Sequence, residues 1–475
     1  MNLPLPAHIK KILGILAGQG FAAYVVGGAV RDCLLGAQPQ DYDIATNAAP
    51  QEIGIIARAN GLKIIDKMVN RFGVTMLVID KATVEISSFR REWYGADAHR
   101  PEKVVFCQTL EEDLARRDFT INAMAVGADG ELSDPYGGRL DMAQKCLRTV
   151  GNADERFAED ALRMFRACRF CARLGFLPAP ELMAGINRQR KRTHGLSLER
   201  VKSEIEKILA AAHPDIGLQM LAESGLADEH CSFRRRGERK LAAILPELQN
   251  AAVRETEKTD AGRDARLRPL TRVPAELSVR WAALFCAVTS AGREKAPENT
   301  PGDCGKIAAA MAEHALNRFL YGSKFIRRVS WLLRNYGNFA LCLRAGDGQI
   351  TDWLRTEAQS GYFRLNSDFT DAFSQLRELC AAFMSKHYES GQEAALFRQF
   401  SQRLAEKAKA MPVHTSELAI GPADMDGCMP SGMTGDFLNR LLRKTQTGEL
   451  KNSRPELLQH LHSILPQSNF RIQRF

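Results

Sequence analysis

The chain has 475 residues, 45% of them hydrophobic and 25% charged, with a formal charge of +9. Hydrophobic cores stop growing at about 250–300 residues, so several domains are expected. No run approaches the roughly 18 apolar residues of a membrane-spanning helix, and the basic balance favours a polyanionic partner.

At the N-terminus, Ile9, Ile12, Leu13 and Leu16 recur at helical spacing around Lys10 and Lys11. This predicts an amphipathic first helix and not a secretory leader, since no small-residue cleavage site follows a compact apolar block. The 11 cysteines are scattered and odd in number, which points to free thiols in a reducing cytoplasm. Cys168 and Cys171 form one CxxC, but no second ligand pair stands at zinc-like spacing; inside a helical pattern, thiols at i and i+3 read as small core residues.

Short β-type runs follow at 22–28, 41–46, 75–80, 83–89 and 120–127, punctuated by Gly, Asp and Asn. The segment Tyr24-Val25-Val26-Gly27-Gly28-Ala29-Val30-Arg31 reads as a strand, a tight glycine turn and a helix start. Such a turn lets a phosphate approach the backbone, with Arg31 in the first helical turn to fork onto it; a plain strand–helix turn is the competing reading. The motif is neither GxGxxG nor a Walker loop, so Rossmann and P-loop readings fail.

Asp41 and Asp43 lie two apart in a β-type run, which places them on one face, and Glu85 lies in a second such run. A lone DxD is commonly a solvated turn. Three converging carboxylates instead repel unless cations lie between them, and Mg²⁺ prefers such oxygen ligands while keeping positions open for phosphates. Arg116-Arg117-Asp118 is a charged turn whose basic pair could hold a triphosphate.

After Thr149 the β signals stop. Residues 154–174 repeat apolar positions at helical spacing up to Gly175, and Ser197 caps another helix with the apolar face Leu198, Val201, Ile205, Ile208 and Leu209. Within the first pattern Asp160 and Arg163 are three apart and share a face. A carboxylate beside a guanidinium forms an acceptor–donor edge that complements cytosine or adenine and rejects G and U; an ordinary surface ion pair is the alternative. Arg166 and Arg169 continue the series. Two polar stretches, 251–274 and 292–305, read as surface loops or insertions, and a Pro/Gly-rich segment at 421–435 precedes the last helices.

Taken in order, GGAVRDCLLG (27–36), DYDIATNAAPQEI (41–53), RRDFTINAMAV (116–126), DPYGGRLDM (134–142) and ERFAEDALRMFRACRF (155–170) resemble the class II tRNA nucleotidyltransferase and bacterial poly(A) polymerase family. The resemblance is strong over roughly residues 20–225 and returns weakly at 416–425 and 447–458. It implies an α+β fold, with a polymerase-β-like head on a mixed sheet followed by all-helical neck, body and tail. The implied divisions are a catalytic head at 1–148, a base-recognising neck at 149–225, a body with polar insertions at 226–350 and a tRNA-binding tail at 351–475. Carried over by position, Asp41 and Asp43 become metal ligands and Glu85 the third catalytic carboxylate. Gly28, Arg31 and Arg117 become phosphate contacts, and Asp160 and Arg163 the base readers, supported by Arg166 and Arg169.

Within the family, EDALRM is more similar to CCA-adding enzymes, because poly(A) polymerases tend to carry proline at the position of Ala161. The segment 94–102 resembles the flexible loop that lets CCA enzymes switch from C to A, although His99 stands where a basic residue, usually Arg, is common. No HxxxD motif lies near 281–286, so no phosphohydrolase activity is expected. The resemblance implies a cytoplasmic, Mg²⁺-dependent enzyme acting on tRNA with CTP and ATP. Poly(A) or A-only addition is the alternative, and a non-catalytic RNA-binding protein a more distant one. Basic clusters at Arg188, Arg190, Lys191 and Arg192, and at Arg234, Arg235, Arg236, Arg239 and Lys240, are candidate contacts to an RNA backbone or merely solvated faces.

Overall fold

The computed structural model describes residues 3–65, 73–93, 103–227, 267–291, 301–388, 392–426 and 432–464. The loop at 94–102, the cluster from Arg234 to Lys240 and most of the two polar stretches lie outside the described residues. The chain divides into two compact units, Met1–Leu267 and Arg268–Phe475.

In the first unit, α1 (Ala7–Gly18) buries Ile9, Ile12, Leu13 and Leu16, the stripe read from the sequence. Strand β1 (Ala23–Val26), helix α2 (Gly28–Leu34), strand β2 (Asp43–Thr46) and helix α3 (Pro50–Ala59) follow. Next come β3 (Lys63–Ile64), β4 (Val74–Ile79) and β5 (Ala82–Ser88), then the two-stranded ribbon of β6 (Arg90–Trp93) and β7 (Lys103–Phe106). The β4–β5 turn places Asp80 and Lys81 at φ 48° and 68°, a two-residue hairpin geometry that matches strand twist. Helix α4 (Leu110–Ala115) precedes β8 (Ala125–Val126) and β9 (Leu132–Ser133).

These strands form one mixed sheet of order β3-β4-β5-β2-β1-β8-β9, in which β2 and β5 run parallel and every other neighbouring pair runs antiparallel. Val26, Ala45, Phe89, Leu110, Leu114 and Ala125 pack into one core against the sheet, which holds the central strands in register. The α+β plan expected from the sequence is present, with helices following the sheet-bearing head.

Two local expectations are corrected. The run at 120–127 is not a continuous strand: Thr120–Asn122 forms a turn of 3-10 helix, and only Ala125–Val126 joins the sheet. The Asp118 carboxylate causes this, accepting from the Phe119 N–H at 2.9 Å and from Asn122 Nδ2 at 3.1 Å, a local side-chain pattern that competes with strand pairing. Residues 154–174 are likewise two helices. After α5 (Gly138–Ala143) come α6 (Ala153–Glu159) and α7 (Leu162–Leu174), separated at Asp160, whose backbone is extended at φ −142°, ψ 106°. Gly175, at φ 71°, stops α7 as the sequence indicated.

Beyond α7 lie α8 (Pro180–Gln189) and α9 (Leu198–Ala210). Ser197 occupies the N-cap of α9, but its side chain makes no capping bond, so its expected role is positional only. The second unit is helical throughout its described regular elements, from Pro269–Arg272 to Arg454–Ile464. Its helix Pro301–Arg318 begins inside the stretch read as a loop at 292–305. Leu418, Ile420, Phe437, Leu441, Leu457 and Leu461 form a separate apolar cluster near the chain end. Among the described residues no helix is long and apolar enough to cross a membrane.

Candidate active site

The strand-to-helix turn after β1 needs glycine at Gly27, where φ is 74° and an added Cβ would stand 3.0 Å from Arg117 NH1. The bare backbone therefore lets an arginine from the end of α4 close over the turn. Gly27, Gly28 and Arg117 line a cavity of about 410 Å³ in the first unit.

One wall of that cavity carries Asp43. The β1–β2 register sets Val26 opposite Asp43, and the parallel β2–β5 register sets Asp43 opposite Glu85, so both acids leave the sheet on one face. Asp43 is exposed at the residue level, yet desolvation of its carboxyl pushes it above the usual range; Arg117 opposes the rise and Asp41 adds to it. Glu85 is pushed up too, by desolvation first and by Asp43 second, with Arg90 opposing. Asp41 itself precedes β2 rather than lying in it. The expected meeting of three is therefore a pair on adjacent strands with a third acid flanking it. Among the described residues no three His, Cys, Asp or Glu form a ready-made metal cluster. Carboxylates whose proton affinity is raised by burial and by a neighbouring acid nevertheless suit a hard divalent cation, which replaces the proton as the compensating charge.

The rest of the charged lining is mostly arginine. Seven arginines and three aspartates line the cavity, a positive surplus of four that favours a polyanionic ligand. The residues differ sharply in how they are held. Arg31 is 3% exposed, its Nε and NH2 bonded to Asp32 and its NH1 to Asn122 at 2.6 Å. It packs 5.3 Å from the Phe170 ring, which Arg169 also overlies at 4.3 Å. Arg166 donates from Nε to Asp118 at 2.9 Å, and Arg169 donates to Glu204 at 2.6 Å. Burial works to raise the Asp118 carboxyl, but Arg166, Asn122 and Arg163 outweigh it and hold it at about 2. Arg117 donates to Asp113 at 3.1 Å and keeps a buried Nε–H without a partner among the described residues.

Asp160 and Arg163 both line the cavity, but not as one helical face. Asp160 sits at the α6–α7 break, one oxygen accepting from the Leu162 N–H at 2.9 Å and the other 3.9 Å from Arg200. Arg163 is buried, with NH1 donating to Glu159 at 2.6 Å and NH2 to the Arg116 carbonyl at 3.0 Å. Both side chains line the cavity while being held by different partners, so the acceptor and donor of the predicted edge are fixed independently.

Of the residues singled out in the sequence, Gly28, Arg31, Asp43, Arg117, Asp160, Arg163, Arg166 and Arg169 line the cavity, Asp41 and Glu85 are not among its lining residues, and Arg173 joins it without having been expected. Asp32, Asp113, Asp118, Asn122 and Glu159 were missed as holders of the arginines. The i,i+4 spacing of Glu159 and Arg163 was a usable signal; the long-range pairs left none. Cys168 and Cys171 are buried in α7, where desolvation pushes both thiols up. Arg188 of the first basic cluster is tied to Asp154, while Lys191 and Arg192 are exposed.

A larger cavity, about 670 Å³, opens in the second unit between the helices Asn366–Tyr388 and Gln392–Ala410. Its charged lining is Arg377, Lys409 and Glu417, without an acid pair. The smaller cavity, where carboxylates face guanidiniums, is the one equipped for phosphate chemistry.

Residues 23–148 match the model of the Poly A polymerase head domain, and residues 175–231 match that of the probable RNA and SrmB-binding site of polymerase A. A CCA-adding enzyme of Bacillus velezensis is 41% identical over 227 residues, 48% of this chain and 54% of that protein. One from Leuconostoc citreum is 43% identical over 217 residues, 46% of this chain and 53% of that protein. The chain thus matches about half the length of these curated relatives. The crystal structure of the Bacillus stearothermophilus CCA-adding enzyme in complex with CTP aligns over 97% of this chain and 98% of that one, at 26% identity and a TM-score of 0.65.

Proposed function

We propose that this chain, a member of the tRNA nucleotidyltransferase and poly(A) polymerase family, adds C, C and A to the 3′ end of tRNA from CTP and ATP without a template. One observation carries the reading: a single cavity holds Asp43, aligned in register with Glu85, together with Asp160 and a surplus of arginines. An acid pair supports metal-dependent phosphoryl chemistry, the arginines support a triphosphate, and Asp160 with Arg163 supports base choice.

Each role follows from local chemistry. Asp41 and Asp43 are the proposed ligands of Mg²⁺, with Glu85 as the third carboxylate. When bound, such an ion lowers the pKa of an attacking hydroxyl and polarises a phosphate. Gly28 lets the triphosphate approach the α2 turn, and Arg117, held by Asp113, offers it a guanidinium in the cavity lining. Asp160 accepts from the exocyclic amine of cytosine or adenine, and Arg163 donates to the adjacent ring position; G and U present the opposite polarity. Arg163 performs this better for being fixed by Glu159, because an immobilised donor discriminates without reordering. Arg31, Arg166 and Arg169 supply positive potential along the triphosphate. The remaining helices, including the tail at 351–475, are proposed to hold the tRNA in the cytoplasm.

The test is incubation of the full chain with Mg²⁺ and all four nucleotides on tRNA ending before CCA or in CC, and on unstructured RNA. Addition of C, C and A followed by arrest is expected on the tRNA ending before CCA. Long A tracts on unstructured RNA would replace the proposal with poly(A) synthesis, incorporation confined to A on tRNA ending in CC would indicate an A-only enzyme, and no incorporation on any of these RNAs would leave a binding protein.

A further inference from the structure

We propose that Arg173 is the contact for the terminal phosphate of the incoming nucleotide, an inference that rests on the nucleotidyltransferase reading of the cavity. Arg173 was not singled out in the sequence, yet it lines the same cavity, on the last turn of α7. It stands at 50% exposure, against 38% for Arg166 and 9% for Arg163. Arg31 is buried and donates three bonds to Asp32 and Asn122, so it acts mainly as fixed charge. Arg173 donates one bond, from NH2 to Asp32 at 3.0 Å, out of the five N–H donors a guanidinium carries.

Geometry gives this arginine its place along the ligand. Arg163 and Arg173 are ten residues apart on one helix, about 15 Å at the rise of an α-helix, and Arg166 and Arg169 lie between them. That span is comparable to an extended nucleoside triphosphate. A base read at Asp160 and Arg163, with its phosphates running along α7, ends at Arg173. The pairing with Asp32 makes the contact exchangeable. Asp32 uses Oδ1 for Arg31 and Oδ2 for Arg173, so an arriving phosphate can take Arg173 while Asp32 remains paired with Arg31. The same interaction would hold the pyrophosphate as it leaves.

The experiment compares wild type, Arg173→Gln and Arg173→Lys by binding of CTP, CMP and inorganic pyrophosphate in Mg²⁺, and by KM for CTP and for tRNA. The expected result for Arg173→Gln is roughly tenfold weaker CTP and pyrophosphate binding, the loss of one charge-assisted contact, with CMP binding and KM for tRNA unchanged. Arg173→Lys should recover part of the loss, which a general packing defect would not allow. Equal weakening of CMP and CTP, a change confined to KM for tRNA, or no change would each overturn the assignment. Wild-type incorporation is measured alongside: if it is absent, the enzymatic reading fails, while the CTP and CMP binding arms still judge Arg173.

Discussion

The two walls of the cavity are built by opposite rules. On the sheet side Asp43 is exposed and Glu85 stands beside it, and each carboxyl is pushed up by its surroundings and by a neighbouring acid. On the helix side Arg31, Arg163 and Arg166 are tied to Asp32, Asn122, Glu159 and Asp118, and the Asp118 carboxyl is driven down to about 2. The first wall carries electrostatic strain that a cation relieves. The second is largely tied into its own ion pairs, with Arg173 left exchangeable, and presents a positive field. A site for a metal-bound polyanion needs both, one side to draw the metal and the other to hold a phosphate chain with little rearrangement.

Removing the strained wall should have the largest effect. Asp43→Ala is expected to lower incorporation by about 10³-fold or more while leaving the melting transition in place; near-normal incorporation would end the two-wall reading. Base choice comes next. Asp160→Ala should erode the preference for C and A over G and U by roughly 10- to 100-fold, the worth of a good base contact, measured as kcat/KM for each nucleotide.

The ion-paired wall should answer in stability. The folded pKa of Asp118 lies below that of an unfolded aspartate, so its contribution is complete above about pH 4 and disappears as pH falls through 2. Chemical denaturation of wild type should lose about 2 kcal/mol across that window, and Asp118→Asn should lack this component. The smallest effect has the opposite sign. Asp43 has a raised pKa, so its charge opposes folding at neutral pH and the penalty fades as pH drops toward protonation. Asp43→Asn should therefore be inactive yet slightly more stable at pH 7, by less than about 1 kcal/mol given its exposure. A destabilised variant would show that Asp43 is a structural residue.

Much of the sheet side could be read in advance because its signals are local. Alternation marks β4 and β5, and the glycine pair marks the turn into α2. On the helix side Asp160, Arg163, Arg166 and Arg169 do line the cavity, but the single helix expected there is broken and Arg173 was not singled out. At the break the Asp160 carboxylate accepts from the Leu162 N–H that begins the next helix, a local turn that an uninterrupted 3.6-residue periodicity conceals. The burial of Arg31 depends on Asn122, 91 positions away, and the anchoring of Arg166 on Asp118, 48 positions away. Spacing along a chain cannot report such partners. Much of the composition of the cavity was thus accessible while its internal wiring was not.

The parallel pairing of β2 with β5 in the large sheet has a consequence for how the molecule is made. Asp43 and Glu85 become neighbours only when β2 and β5 align, with α3, β3 and β4 already threaded between them. Closing that excursion of roughly forty residues is an entropic cost paid before any contact across it forms, which places the acid pair late in assembly. A nascent or truncated head lacking β5 would hold the glycine turn and Asp43 but no second carboxylate, and so would emerge from synthesis chemically silent until the sheet closes.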